Sequence, residues 1–366
     1  MFTTVLLFLA GLAGLILGAD LLVRGASRLA LSFGISPLVV GLTVVAFGTS
    51  APEMAVSTGA VLSGSTDMAL GNVVGSNIFN VLFVLGLSAV IAPLVVNVQL
   101  IRQEVPIMIG ASLLVLVMAL DSNISLIDGI VLFALLLAYT VFLVRQSRAQ
   151  SQAVRDEYEA EVAAPATGRW VNSRVLQVAL VLGGLALLVV GSEALVNASV
   201  VFARALGLSE LVIGLTIIAA GTSMPEVATS VLAAIKGERD IAVGNVVGSN
   251  VFNLLGGVGL SGIVASAVGL GGLPVPASAL NFDLWVMLAV ALACLPVFLT
   301  GREIARWEGA VFLAYYVAYA SYLVLAAQEH AALPAFSRVM LGFVLPLTVI
   351  TLVVSALRKP PTPAPH

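Results

Sequence analysis

An all-α polytopic membrane protein, with two inverted five-helix repeats and one extra C-terminal helix, is the architecture this sequence predicts. Composition is the first ground. Of 366 residues, 60% are hydrophobic and 10% charged, with a mean hydropathy of +1.13, which ordinary soluble domains do not reach. Eleven long apolar runs are the second ground, and a repeat at a constant offset of 173 residues is the third.

About 20 apolar residues cross a bilayer as helix, because a rise of about 1.5 Å per residue must cover about 30 Å of hydrocarbon. The first run, 5–23, lacks the basic start and small-residue cleavage site of a signal peptide, so it is expected to be a retained helix. Runs 37–62 and 211–235 each carry an internal Pro-Glu pair, and runs 68–94 and 241–268 each carry a Gly- and Asn-rich stretch. Runs 105–120, 124–144, 175–195, 284–299 and 310–327 are nearly uninterrupted aliphatic and aromatic segments. The eleventh, 339–357, falls outside the repeat. The expected organisation is a first repeat over 1–144, a linker over 145–174, a second repeat over 175–327, and an extra helix with a Pro-rich cytoplasmic tail over 328–366.

Orientation follows from Lys and Arg, which stay preferentially in cytoplasmic loops. With the N-terminus outside, Arg24, Arg28, Arg102, Arg145, Arg148, Arg155, Arg169, Arg174, Lys236, Arg239, Arg302, Arg306, Arg358 and Lys359 fall inside. Only Arg204 and Arg338 fall outside. The 145–174 linker is then cytoplasmic, and the plasma (inner) membrane is the expected location. A formal charge of −3 offers no basic excess for nucleic acid. The lone Cys294, with histidines only at His330 and His366, excludes an internal disulfide and a buried His/Cys metal site.

At the 173-residue offset the pattern GLTxxAxGTSxPExAxS recurs, carrying Glu53 onto Glu226 and Ser57 onto Ser230, and GNVVGSNIFN (71–80) falls on GNVVGSNVFN (244–253). Five spans per half is an odd number, so the second half enters the membrane from the opposite side. Inverted repeats of this kind build many secondary transporters, with the substrate site near the midplane between the halves.

Glu53 and Glu226 are the only acidic residues deep within the expected spans. A carboxylate there costs about 2.5–3.5 kcal/mol on insertion scales, which makes a functional role the default; the alternative is a protonated packing residue. Pro52 and Pro225 lack the N–H that would bond the carbonyls of Gly48 and Gly221. An unwound segment rich in oxygen donors, with Thr49, Ser50, Thr222 and Ser223, is therefore expected in both halves. The hydroxyls have an alternative in bonding back to their own helix. Asn72, Ser76 and Asn80 share one helical face, and Asn245, Ser249 and Asn253 repeat it. Asn80 and Asn253 are favoured as ion ligands over interhelical bonding, while Asn72, Asn77, Asn245 and Asn250 read as structural. Gly71, Gly75, Gly244 and Gly248 read as close-packing positions.

Carboxylates, carbonyls, hydroxyls and amides without nitrogen or sulfur donors describe a hard-cation site, and Ca2+ takes six to eight such oxygens. Mg2+, which holds its water and demands a small octahedral cage, fits less well. Two negative charges balance one Ca2+, two Na+ or two protons, which is the electrostatic basis for exchange at one site.

These paired motifs resemble the cation/calcium exchangers, and within them the prokaryotic type of the Na+/Ca2+ exchanger branch. The resemblance rests on GTSAPE (48–53), GTSMPE (221–226) and the two GNVVGSN stretches, and spans about residues 5–327. It implies a non-enzymatic antiporter working by alternating access, with Ca2+ and Na+ as partners, no bound cofactor, and Ca2+/H+ exchange as the alternative. It further implies that Glu53 and Glu226 ligate both ions and that Thr49 and Thr222 offer carbonyls to Ca2+. Ala46, Ser50, Ser76, Ala219, Ser223 and Ser249 would flank them in Na+ sites. Asn at 253, where K+-dependent members carry an acid, argues against K+ co-transport, and GTSAPE differs from the usual first motif of the proton-coupled branch. The large cytoplasmic Ca2+-sensing region of animal exchangers is absent. The eleventh helix is expected to be structural or an oligomer contact.

Two other classes fare worse. An intramembrane hydrolase lacks a His or Cys partner in the spans, and a channel does not account for inverted halves with broken helices. Asp20 and Glu193, which also coincide at the offset, are candidates for the two ion entrances, against a plain interfacial role in which Asp20 pairs with Arg24.

Overall fold

The computed structural model describes residues 2–149, 174–206, 217 and 219–357, the side chains of 148, 149, 219 and 352–357 excepted. Most of the linker and the Pro-rich tail thus lie outside the described residues. Helices α1 (Phe2–Phe33), α2 (Pro37–Leu62), α3 (Thr66–Ile91), α4 (Leu100–Asp121) and α5 (Leu126–Ala149) make the first half. The second half has α6 (Arg174–Ala205), a short turn of helix at Ala219–Gly221 leading into α7 (Met224–Ile235), α8 (Arg239–Ala267), α9 (Ala279–Leu299) and α10 (Arg306–Ala327). Helix α11 (Leu333–Thr351) follows. Helix is the expected form, since the hydrocarbon offers no hydrogen-bond partner and each segment must satisfy its own backbone.

The inversion is visible in the connections. Strand β1 (Leu94–Val95) pairs antiparallel with β4 (Glu303–Ile304), and β2 (Asn123–Ile124) with β3 (Leu273–Pro274). Each ribbon therefore joins a loop of one half to a loop of the other, and the two halves are tied once at each end of the bundle. The α2, α3, α7 and α8 helices form the centre, with α4, α5, α9 and α10 around them. Helix α11 packs against α9 and α10, with Tyr315 bonded to Thr348 and Leu341 and Phe343 exposed as on a lipid-facing surface.

Helices α1 and α6 run antiparallel along their whole lengths. Glycine makes this possible: a Cβ on Gly184 would lie 2.6 Å from Leu22 N and 2.7 Å from Gly18 O. In lipid, where apolar side chains gain nothing by leaving their surroundings, close backbone approach supplies the packing that holds helices together. Gly184→Ala is expected to force the seam apart and cost about 1–3 kcal/mol, read as a lower melting temperature in detergent. Gly244 and Gly248 likewise approach Leu38 and Leu42 of α2. At Gly71 and Gly75 no described atom lies within 4 Å of an added Cβ, and residues 211 and 215, equivalent to Leu38 and Leu42, lie outside the described residues.

One local expectation needs correction. The sequence predicts unwound backbone at both Pro-Glu motifs, yet the helix runs unbroken over Ala46–Leu62 with Pro52 inside it. Only the second half breaks, at Thr222 and Ser223. There the Ser192 hydroxyl donates to the Gly221 carbonyl at 2.6 Å, occupying an acceptor that Pro225 leaves without its N–H. The equivalent residue in the first half is Ala19, which has no hydroxyl to offer. The chain there keeps its helix, entered through a widened π-type turn over Gly41–Val45.

Candidate ion site

Glu53 and Glu226 are each fully buried at the centre of the bundle. Their partners cross between halves. Ser223, from the second-half motif, donates to Glu53 Oε1 at 2.8 Å, and Ser50, from the first, donates to Glu226 Oε1 at 3.4 Å. Ser223 also lies 3.2 Å from Ser76 Oγ, and Ser249 donates to Glu226 Oε1 at 3.4 Å. Eight of the expected site residues, Glu53, Glu226, Thr49, Ser50, Thr222, Ser223, Ser76 and Ser249, are thereby joined to the site's hydrogen-bond network.

The two threonines are held by asparagines of the opposite half. Thr49 donates to Asn245 Oδ1 at 3.0 Å, and Thr222 to Asn72 Oδ1 at 3.3 Å. Each of these asparagines is fixed in turn by a serine, Asn72 Nδ2 donating to Ser57 Oγ and Asn245 Nδ2 to Ser230 Oγ, both at 3.0 Å. Asn72 also donates to the Glu53 carbonyl at 3.2 Å. Both threonine hydroxyls are oriented by these bonds, each donating its hydrogen to an amide oxygen of the opposite half. Ser57 and Ser230 were visible as the last letter of the repeated pattern, but their pairing with Asn72 and Asn245 joins different helices and has no sequence signal.

Asn80 and Asn253 sit where α3 and α8 widen into π-type turns, at Asn80–Leu85 and Phe252–Val258. Such turns are enriched at functional sites because they rotate one residue out of the regular register. Asn80 Nδ2 donates to Asn250 Oδ1 at 3.1 Å. Ala46 is fully buried and its carbonyl lies 3.4 Å from the Thr49 hydroxyl. Ala219 belongs to the short helical turn before the break, and its side chain lies outside the described residues.

Among the described residues, several buried polar atoms at this centre have no hydrogen-bond partner: Glu53 Oε2, Glu226 Oε2, Asn77 Oδ1, Asn80 Oδ1, and both Oδ1 and Nδ2 of Asn253. Buried polar atoms are otherwise almost always satisfied, and leaving one bare costs about 1–3 kcal/mol, more for a charged group. Two carboxylates with free oxygens, two amide oxygens and nearby carbonyls form an all-oxygen donor set, which fits a hard cation as cargo.

The chain matches the sodium/calcium exchanger protein family over residues 3–145 and 176–325. It belongs to that family. Similarity extends to a putative antiporter, CaxA, of Alkalimonas amylolytica, 39% identical over 87% of this chain and 98% of that protein. The sodium/calcium exchanger MaX1 of Methanosarcina acetivorans is 33% identical over 86% of this chain and 96% of its own length. Among solved structures, the sodium-calcium exchanger NCX_Mj, from crystals soaked with Na+ and Ca2+, aligns with a TM-score of 0.73 and 32% identity, covering 88% of this chain and 99% of that one. This is a transporter family and not one of enzymes, and the protein is an integral membrane member of it.

Asp20 is ion-paired. It accepts from Arg24, at 2.9 Å, and from Lys236 at the end of α7. The carboxylate is thus engaged in joining α1 to the second half, and Glu193 is exposed on α6.

Proposed function

We propose that this protein exchanges Na+ for Ca2+ by alternating access, with one Ca2+ or several Na+ bound between the halves. The observation that carries the reading is the pair of fully buried carboxylates, one from each inverted half, each with an unpartnered oxygen and each bonded to a serine of the other half. Glu53 and Glu226 are the shared ligands of both ions. Thr49 and Thr222 contribute carbonyls to Ca2+, Asn80 and Asn253 amide oxygens, and Ser50, Ser76, Ser223, Ser249, Ala46 and Ala219 complete flanking Na+ positions.

Exchange at one site follows from charge. A site of formal charge −2 is unstable when bare in a low-dielectric interior, so the protein crosses between its two accessible forms when Ca2+ or Na+ has neutralised it. The basic residues favour an outside N-terminus and a cytoplasmic linker in the plasma (inner) membrane. The presence of Asn at 253, rather than an acid, supports independence from K+.

The test is Ca2+ flux in proteoliposomes with Na+ and H+ gradients imposed in turn. An outward-directed Na+ gradient is expected to drive Ca2+ uptake at matched pH. Uptake driven by a pH gradient alone, and indifferent to Na+, would assign the protein to Ca2+/H+ exchange instead, since two protons neutralise the same carboxylates.

A further inference from the structure

Beside the site lies a second pair of amides that the exchange reading does not use. Asn77 and Asn250, equivalent at the 173-residue offset, are both buried. Asn77 Nδ2 donates to the Asn250 carbonyl at 3.5 Å, and Asn250 Nδ2 to the Asn77 carbonyl at 3.3 Å. Each amide also faces a thioether: Asn250 Nδ2 lies 3.5 Å from Met108 Sδ, and Asn77 Nδ2 lies 3.8 Å from Met287 Sδ.

An asparagine amide has nearly the same shape in either of two orientations, so its neighbours decide which end points where. A thioether sulfur accepts weakly and cannot donate, and a carbonyl also only accepts. With Met108 Sδ and the Asn77 carbonyl on one side, the Asn250 NH2 must face them. Its Oδ1 is thereby turned toward Asn80, whose Nδ2 it accepts at 3.1 Å. The Asn80 oxygen is then left free of Asn250, and it is one of the buried atoms without a partner. Turning Asn250 over would present its NH2 to Asn80, which would have to rotate its own oxygen inward to meet it.

Each methionine follows an acid that is bonded to a tyrosine. Met108 follows Glu104 by one helical turn, and Met287 follows Asp283 by the same interval; both acids close a π-type turn, over Leu100–Glu104 and Ala279–Asp283. Each acid accepts from a tyrosine of the next helix, Tyr139 to Glu104 Oε2 at 2.7 Å and Tyr319 to Asp283 Oδ1 at 2.9 Å. The acid, tyrosine and methionine thus recur as a unit in both halves.

We propose that Met108 is a positioning residue of the ion site, an acceptor-only side chain that together with the Asn77 carbonyl sets the Asn250 amide and through it directs the Asn80 oxygen to the bound cation. The proposal rests on the reading of Asn80 as an ion ligand. It does not require Met108 to touch the ion.

Met108→Leu keeps the volume and removes the acceptor. In the full-length reconstituted protein it is expected to raise the Ca2+ concentration for half-maximal flux about threefold, the lower end of one hydrogen bond because a thioether accepts weakly and the Asn77 carbonyl still faces the NH2, with the maximal rate within about twofold. Asn80→Ala is expected to weaken Ca2+ at least as much, and adding Met108→Leu to it to change nothing further. Met108→Ile, which also lacks an acceptor, is measured alongside, and the Ca2+-induced rise in melting temperature gives an independent readout on detergent-solubilised protein. Unchanged half-saturation in both Met108 variants, or effects that multiply in the double mutant, overturns the proposal and leaves the site reading standing if Asn80→Ala is weakened. Unchanged half-saturation in Asn80→Ala defeats the ligand role of Asn80, and the proposal with it.

Discussion

Glu53→Gln and Glu226→Gln are each expected to abolish Ca2+ transport while leaving the protein folded. Glutamine keeps the size of the side chain and an oxygen to accept from Ser223 or Ser50, so the crossed hydrogen bonds at Oε1 survive. What changes is charge. With both carboxylates present, Ca2+ is neutralised; with one, a unit positive charge is left in a buried site. At an effective dielectric of about 20, a unit charge pair about 4 Å apart is worth on the order of 4 kcal/mol, so a loss of roughly a thousandfold in Ca2+ affinity is the expected scale. The substituted amide also turns an NH2 toward the position of the unpartnered Oε2, placing a donor where the cation needs an acceptor. The measurements are Ca2+ uptake in proteoliposomes and, as a folding control, the Ca2+-free melting temperature. Near-normal flux in both variants would defeat the two-carboxylate site.

A membrane potential, negative inside, is expected to accelerate Na+-driven Ca2+ extrusion, because three Na+ against one Ca2+ moves one net charge. A tenfold ion gradient is worth about 1.4 kcal/mol per ion, and one charge across 100 mV about 2.3 kcal/mol. Three Na+ entering therefore supply about 6.5 kcal/mol, enough to hold a Ca2+ gradient between about 10^4 and 10^5. Two would supply about 2.8 kcal/mol and hold roughly a hundredfold. On two carboxylates, three Na+ would leave one positive charge to cross with the ions, whereas Ca2+ would leave none. Clamping the liposome potential with K+ and valinomycin distinguishes the schemes. Ca2+ movement driven by Na+ and indifferent to the imposed potential would rule out three-for-one exchange.

The central motifs were legible because each was written twice. Glu53 and Glu226 stand out as acids within apolar runs, and a gap-free offset pairs them with their neighbours. The unit of Glu104, Met108 and Tyr139 escaped the same comparison although it too is repeated. Its mates Asp283, Met287 and Tyr319 lie 179 or 180 residues on, since the connection before α9 is longer than that before α4, and Glu stands opposite Asp. The two units come into register when the offset is lengthened by six or seven residues. The asymmetry between the two Pro-Glu segments was less accessible, because it turns on Ser192 standing where the first half has Ala19, on a helix distant in sequence.

By itself, the sequence determined that the chain is an all-helical membrane protein, that its halves are inverted, and which acids lie within the apolar runs. These follow from hydrophobic length, from the odd number of spans, and from the cost of a buried charge, all of which are properties of single segments. Only the tertiary structure decided which groups meet: that Ser50 serves Glu226 and Ser223 serves Glu53, that Thr49 and Thr222 are held by the other half's asparagines, and that Met108 faces Asn250. Hydrogen bonds reach about 3 Å and act between side chains brought together by helix packing, and no spacing along one helix encodes a contact made across two.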